Sequence, residues 1–364
     1  MNTDLKYVKL YDWIKTRIYM EKFRLNEKLP SEAMLCKKFE ISRQTVRTAL
    51  EVLENEGFIW RKKGSGTFVA YELRKSEDSI KSVGLLLSYC EEYIFPYIFS
   101  GIESVLSRHK IGIDIAVTKN KINNETVYLE RMLNSSVSGV IVEGTKSAFP
   151  NPNINLYSAL DMRKIPIIFM HNYYTNIQNY DSILMDDEQC AFMLTQRLID
   201  KGHKNIAGIF KYDDLQGVRR YKGFLKCMAQ NMLKINDECI KWYSTEDFHG
   251  SFLNKRLSDY HKKASNCTAV IAYNDTIAEM VIKFLESKGL RVPDDTSIVS
   301  FDDTYIAKNS AVRIISAIHP KADLGKKVAR NMIKMIGDEQ WKTNDYSYVF
   351  EPKISDGDSI KDIR

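Results

Sequence analysis

The sequence predicts an α/β protein in two parts: a small N-terminal winged helix-turn-helix domain, then a much larger two-lobed unit built on parallel sheets. Three observations predict it. Two short helices, each opened by a capping serine, flank a tight turn between Ser31 and Leu53, and a basic, glycine-containing hairpin follows. From residue 82 onward, apolar runs of strand length alternate with segments of helical periodicity, the pattern of parallel sheets covered on both faces. At 364 residues the chain is long enough for two or three units with sizeable cores.

In order, Leu10, Ile14 and Ile18 recur every four residues and predict a first helix from about Tyr7 to Glu21. Lys6 stands at its entry, where it could reach a phosphate. Ser31 follows Pro30 as an N-cap, and Leu35 and Phe39 give the next helix an apolar stripe. The Glu40-Ile41 step leads to a second cap, Ser42, after which Val46, Ala49, Leu50 and Leu53 share one buried face. Arg43, Gln44, Arg47 and Thr48 are left on the outer face. Gly57 ends this helix, Phe58 to Trp60 and Thr67 to Val69 read as strands, and Arg61-Lys62-Lys63-Gly64-Ser65-Gly66 is the basic turn between them.

A helix presenting long donors near its N-terminus fits a major groove, where arginine can grip guanine O6 and N7, and glutamine adenine. Two arginines alone would suit an ordinary solvated face. The wing changes the balance, because Gly64 and Gly66 let backbone approach a phosphate or a minor groove while Lys62 and Lys63 supply charge. Charge agrees: residues 1–70 hold 14 basic against 9 acidic side chains, leaving 39 and 38 for the rest of the chain. Leu29-Pro30-Ser31-Glu32, Ser42-Arg43-x-Thr45-Val46-Arg47-x-Ala49-Leu50 and Gly64-x-Gly66-Thr67-Phe68-Val69 resemble the GntR-family DNA-binding domain over about residues 5–70. The resemblance adds Glu32, Ser42 and Thr45 to the candidate DNA-binding residues and implies double-stranded operator DNA as a partner.

Residues 71–81, polar and charged, read as a linker. Beyond it the predicted strands are Val83–Leu87, Ile113–Val117, Gly139–Val142, Ile165–Met170, Ile206–Phe210, Ala269–Ala272 and Ile298–Phe301. Ile94–Ser107, Cys190–Asp200 and Thr276–Ser287 are predicted helices. In open α/β sheets the ligand lies beyond the carboxyl ends of the strands. The polar residues there are Tyr89, Glu143, His171, Asn172, Asp186, Asp187, Arg220, Asn274, Asp275, Asp302 and Asp303. Carboxylates, amides and a guanidinium suit a neutral polyhydroxy ligand, whose hydroxyls both donate and accept. Asp275 and Asp303 read equally well as helix N-caps.

Gly202-His203-Lys204-Asn205-Ile206-Ala207, Arg220-Tyr221-Lys222-Gly223-Phe224, Tyr273-Asn274-Asp275, Val292-Pro293-Asp294-Asp295 and Phe301-Asp302-Asp303 occur in an order that resembles the effector domain of the LacI/GalR family over about residues 82–356. This implies a periplasmic-binding-protein-like fold in which Arg220, Asn274 and Asp302 contact a sugar, with Asp186 and Asp187 beside them and Phe248 near an aromatic stacking position. Cys190 departs from the pattern, standing where a glycine is usual. The implied lobes are 82–202 with 316–337, and 203–315 with 340–356. The pairing of the two domains resembles the arabinose-utilisation repressors of Gram-positive bacteria. That implies a homodimeric transcriptional repressor released from DNA by a sugar, with L-arabinose expected ahead of another pentose, a hexose or a sugar phosphate.

Enzymatic signals are weak. Gly139-x-x-x-x-Gly144-Thr145-Lys146 has phosphate-loop spacing with its last two residues reversed, and there is no G-x-S-x-G or H-E-x-x-H. A GntR-type domain fused to an aminotransferase-like enzyme needs a longer chain. No cofactor or metal is therefore expected. The six cysteines lack a C-x-x-C pair and fit a reducing compartment. The N-terminus lacks an apolar signal core and no run approaches membrane-spanning length, so a cytoplasmic location is expected.

Overall fold

The computed structural model describes residues 4–20, 22–71, 81–90, 93–177, 179–248 and 266–364. The N-terminal unit has three helices, α1 (Asp4–Tyr19), α2 (Glu32–Phe39) and α3 (Arg43–Asn55). Ser31 Oγ accepts the Met34 amide at 3.3 Å and Ser42 Oγ the Thr45 amide at 3.1 Å, satisfying N–H groups that each helix start leaves open. Between α2 and α3, Glu40 turns the chain in the left-handed region, φ 54°. Leu10, Ile14, Ile18, Leu35, Val46, Ala49, Leu50 and Leu53 are all buried in one core, so the stripes expected from spacing are the packed ones. The wing pairs β1 (Ile59–Lys62) antiparallel with β2 (Gly66–Val69), Lys62 opposite Gly66. The expected linker lies mostly outside the described residues.

Lobe 1 contains β3 (Ser82–Leu87), α4 (Phe95–Leu106), β4 (Gly112–Val117), α5 (Ile122–Asn134), β5 (Val137–Val142), α6 (Ile154–Met162), β6 (Ile167–Met170) and β7 (Asp181–Met185). The chain continues through α7 (Asp187–Asp200), β8 (Ile206–Lys211), α8 (Leu215–Gln230), β9 (Ile240–Tyr243), α9 (Thr245–Phe248), β10 (Ala269–Ala272), α10 (Asp275–Glu286), β11 (Ser297–Asp302), α11 (Tyr305–Asn309), β12 (Ile315–Ile318), α12 (Lys321–Ile336) and β13 (Tyr348–Phe350). Two parallel sheets result, ordered β13-β7-β6-β5-β3-β4 and β12-β11-β10-β8-β9.

Packing moves the expected lobe boundaries. Helix α7, expected in lobe 1, buries Cys190, Ala191, Leu194 and Leu198 with the residues of the five-stranded sheet, so the first crossing falls between Met185 and Asp187. Strand β12 pairs with β11 and belongs to lobe 2, whereas α12 returns to pack on α4. Strand β13, expected in lobe 2, instead pairs with β7 in lobe 1, after which Ile354 bridges Ala317 and carries the C-terminus back. Three crossings therefore tie the lobes together, and residues at the strand ends of the two lobes meet there, Tyr93 with Asp302 and His171 with His319.

Candidate DNA-binding surface and effector cleft

On α3, Arg43, Gln44 and Arg47 are exposed on one face while Val46 and Leu50 anchor the other. Arg47 Nε lies 3.2 Å from Glu32 Oε2, so Glu32 orients an arginine that remains about half exposed. Ser42 sits exposed at the start of α3. Thr45 departs from the expectation of a contact residue: it is buried, and its hydroxyl lies 2.8 Å from that of Ser42, so it secures the cap. In the wing, Lys62, Lys63, Gly64 and Gly66 are exposed. Gly64 and Gly66 have φ of 77° and 127°, conformations that favour glycine. Trp60 stacks on Phe68 at 4.8 Å and stiffens the hairpin. Lys6 lies in α1, and its side chain is outside the described residues.

The cleft is organised by Arg220 on α8, 1% exposed. Its Nε donates to Asp187 Oδ1 at 2.7 Å, Nη1 to the Tyr273 carbonyl at 2.6 Å, and Nη2 reaches Asp302 Oδ1 at 3.4 Å. The guanidinium lies over the rings of Phe301, at 4.3 Å, and Tyr273, at 4.8 Å. Burial works against its charge, but the Asp187 and Asp302 carboxylates outweigh that and hold its pKa well above the ordinary value. Gly223, one turn beyond, makes this seating possible: a Cβ there would stand 2.0 Å from the Glu188 carbonyl, so only glycine lets α8 approach α7 this closely.

Lobe 1 closes on this group. The Tyr93 hydroxyl donates to Asp302 Oδ2 at 2.8 Å and accepts the Asp275 amide at 3.2 Å. His171 Nδ1 lies 3.3 Å from Glu143 Oε1, and Glu143 Oε2 accepts the Ser88 amide at 2.7 Å. The His319 ring of lobe 2 meets that of His171 edge-on, with centroids 5.1 Å apart. His171 and Asp302 have φ of 65° and 98°, in the region non-glycine residues seldom occupy, so the surrounding packing imposes these conformations. Buried and without hydrogen-bond partners among the described residues are His171 Nε2, both ring nitrogens of His319, and Asp187 Oδ2. Burial, then the neighbouring His171, Lys321 and Arg220, hold the His319 pKa well below its usual value. It is therefore neutral and offers one donor and one acceptor.

Further polar contacts bridge the lobes beside the cleft. Asn120 Nδ2 donates to Thr245 Oγ1 at 2.6 Å and to Asp213 Oδ2 at 3.2 Å, Lys146 Nζ meets Glu246 at 2.6 Å, and Ser147 Oγ accepts the Leu215 amide at 3.0 Å.

Of the expected effector residues, Asp187, Arg220, Asp302 and His171 converge. Tyr89 is half-buried, its ring 6.4 Å from that of Phe95, which in turn lies 6.2 Å from His171. The others have local tasks. Asn172 Oδ1 accepts the Gly144 amide at 2.7 Å, while Asp186 and Asn274 cap α7 and α10. Phe248 packs against the lobe 2 core with Tyr243 and Tyr273, and the residues immediately after it are outside the described ones. The α7 helix runs regularly through Cys190. Asp275 is a core acceptor, bound by Ser300, Ser316 and Thr304, and burial raises its carboxyl pKa to about 6. Sequence reasoning missed Tyr93 and His319. The Pro-Lys that follows His319 was the available signal, since it marks the end of a strand. Among the described residues, no group of three or more His, Cys, Asp or Glu is placed to hold a metal ion, and no helix is long and apolar enough to cross a membrane.

A winged helix-turn-helix joined to a two-lobed effector cleft defines the class of ligand-responsive transcription regulators. Residues 6–69 match the gntR family of bacterial regulatory proteins and residues 195–360 the periplasmic binding protein-like domain. The fold resembles that of the transcription regulator CcpA of Lactococcus lactis, with a TM-score of 0.67, 22% identity, and coverage of 78% of this chain and 100% of that one. Along its whole length the chain is 36% identical over 360 residues to the arabinose metabolism transcriptional repressor of Geobacillus stearothermophilus, covering 98% of both. It is 35% identical over 361 residues to the repressor of the same name from Halalkalibacterium halodurans, covering 97% of this chain and 96% of that one. The chain belongs to this family of transcriptional repressors.

Proposed function

We propose that the protein represses transcription as a cytoplasmic homodimer bound to a pseudo-palindromic operator, and that a neutral sugar, L-arabinose, seated between the lobes releases it. The observation that carries this reading is the set of unpartnered buried atoms, His171 Nε2, both nitrogens of His319 and Asp187 Oδ2, beside an Arg220 whose three nitrogens each have a partner. Leaving polar atoms buried without partners costs about 1 to 3 kcal/mol each, and a hydroxylated ligand removes that cost. Charge favours a neutral sugar over a sugar phosphate. Arg220 is matched by Asp187 and Asp302, Lys211 by Asp213 and Asp214, and Lys321 donates to the carbonyls of Asp302 and Asp303.

On DNA, Arg43, Gln44 and Arg47 read base edges while Lys62, Lys63 and the Gly64 and Gly66 backbone meet phosphate. A two-fold dimer places its recognition helices about 34 to 36 Å apart, one helical turn of DNA. No step of this scheme calls for catalysis or a cofactor. Thermal-shift and calorimetric titrations with L-arabinose, D-ribose, D-xylose, D-galactose and L-arabinose 5-phosphate test the ligand. A ligand at 100 times its dissociation constant adds about 2.7 kcal/mol of stability, and L-arabinose is expected to do so where the phosphate does not. Binding of the phosphate alone would overturn the neutral-sugar assignment.

A further inference from the structure

The DNA-binding unit does not hang free of lobe 1. Lys15 of α1 places its ammonium 3.0 Å from Glu130 of α5, 3.2 Å from Glu56 at the end of α3, and 2.6 Å from the Tyr11 hydroxyl. It also lies 4.8 Å from the Phe58 ring centroid. Oxygens from both units thus share one cation whose side chain is 11% exposed. One turn further along each helix, Tyr19 of α1, 1% exposed, lies beside Asn134 of α5. Helix α1 also lies against α6.

The other end of α5 is tied to the cleft. Glu125, wholly buried, accepts from Asn151 at 2.9 Å, from Tyr174 at 2.9 Å and from Tyr157. The same Tyr174 hydroxyl accepts the Thr145 amide at 2.6 Å, and Thr145 Oγ1 lies 3.1 Å from Thr118 Oγ1. Asn124 completes the tie by donating to the Thr118 carbonyl at 2.9 Å. Thr145 belongs to the loop that supplies Lys146 and Ser147 to the bridge between the lobes, and Asn172, next to His171, holds its neighbour Gly144. From Glu125 to Glu130 is one and a half turns of rigid helix, about 7 to 8 Å. Buried hydrogen bonds of this kind hold their members rigidly with respect to one another.

We infer that α5 is the strut that carries the state of the cleft to the DNA-binding unit, and that Lys15, Glu130, Tyr19 and Asn134 form a docking seam which the sugar-bound state favours. The inference rests on the sugar reading above. Closing the lobes fixes the loop at 144–147, α5 follows, and the DNA-binding unit is pinned on lobe 1 where a dimer cannot adopt operator spacing. Because coupling is reciprocal, operator DNA must in turn weaken the docking.

Two measurements on the full-length protein test this. A photo-crosslinking benzoylphenylalanine in place of the exposed Val127, one turn before Glu130, is expected to form an intrachain adduct with residues 4–19. Its yield should rise with saturating L-arabinose and fall with operator duplex. Glu130→Lys, a change at the surface of lobe 1, is expected to keep L-arabinose affinity and sugar-free operator affinity within about twofold of the parent. The factor by which L-arabinose weakens operator binding should drop by about fivefold or more, since typical couplings run from roughly 5- to 150-fold. Parental coupling in Glu130→Lys, an adduct elsewhere, or a yield that ignores operator would each overturn the strut. A parent protein indifferent to L-arabinose would sink the sugar assignment alone, with the operator-dependent adduct still deciding the strut.

Discussion

Arg43 and Arg220 carry the same side chain in opposite settings. Arg43 stands exposed on α3 and makes no hydrogen bond or ion pair among the described residues, so its five N–H donors remain for a partner. Arg220 is buried, spans two carboxylates and a carbonyl, and is covered by two rings. The first arginine belongs to a surface that recognises by being unsatisfied in water. The second belongs to a site in which two carboxylates face one guanidinium, and in the proposal above the unpartnered atoms of His171, His319 and Asp187 beside it are the ones that meet the ligand. Changing each arginine should therefore fail in a different way.

The largest effect is expected from Arg220→Ala, which strands Asp187 and Asp302 in a buried site. A loss of about 3 to 5 kcal/mol in urea-unfolding stability is expected, as for other broken buried ion pairs. Arg43→Ala should shift the same unfolding curve by no more than about 0.5 kcal/mol, the usual range for a surface change. If the two substitutions cost the same stability, the contrast is wrong.

Operator binding inverts the ranking. Arg43→Ala should weaken it by about 1 to 3 kcal/mol, the worth of one bidentate base contact, by fluorescence anisotropy against a duplex selected by the protein itself. Arg47→Ala should fall in the same range. Thr45→Ala, which removes a capping partner rather than a contact, should show its effect in stability and leave the sequence preference unchanged.

Much of this was legible in the chain. The N-terminal unit could be read almost residue by residue because capping, helix periodicity and the wing are all local signals. Thr45 was expected to face outward, but its hydroxyl turns back to Ser42 and the residue is buried. In the cleft, Asp187, Arg220, Asp302 and His171 were singled out in the sequence and lie together in the structure, whereas Tyr93 and His319 were not singled out. Strands β7, β9, β12 and β13 were not singled out: β7 opens with Asp181-Ser182, β9 is interrupted by Lys241, and β12 and β13 are three- or four-residue stretches at or near a sheet edge. Without β12, His319 had no strand end to mark it. The lobe boundaries failed for the same reason, since pairing partners far apart in sequence decide which sheet a short strand joins.

A smaller effect concerns that overlooked histidine. With its folded pKa well below the unfolded value of 6.5, His319 does not take up a proton that the unfolded chain accepts. Its share of stability is whole above that value and declines as pH falls through it, by at most about 1.4 kcal/mol per pH unit. Asp275, raised to about 6, acts with the opposite sign, losing stability as pH rises toward that value. The difference between the parent protein and His319→Gln isolates the histidine. The variant should lose less stability between pH 7 and pH 5.5 in urea titrations, and parallel curves would show that His319 does not titrate as described. Smaller still, Lys63→Ala should lower the salt dependence of operator binding by about one unit of slope while leaving sequence preference intact.

In the proposal above, a neutral sugar in the cleft and DNA on the winged helix exclude one another in a single chain. The most direct measurement is an operator titration of the parent protein by anisotropy, at fixed salt, with and without L-arabinose at saturation as defined by calorimetry. The operator dissociation constant should rise by roughly 5- to 150-fold when the sugar is bound, the span of coupling free energies of about 1 to 3 kcal/mol. An unchanged operator affinity on a protein demonstrably filled with L-arabinose would contradict it.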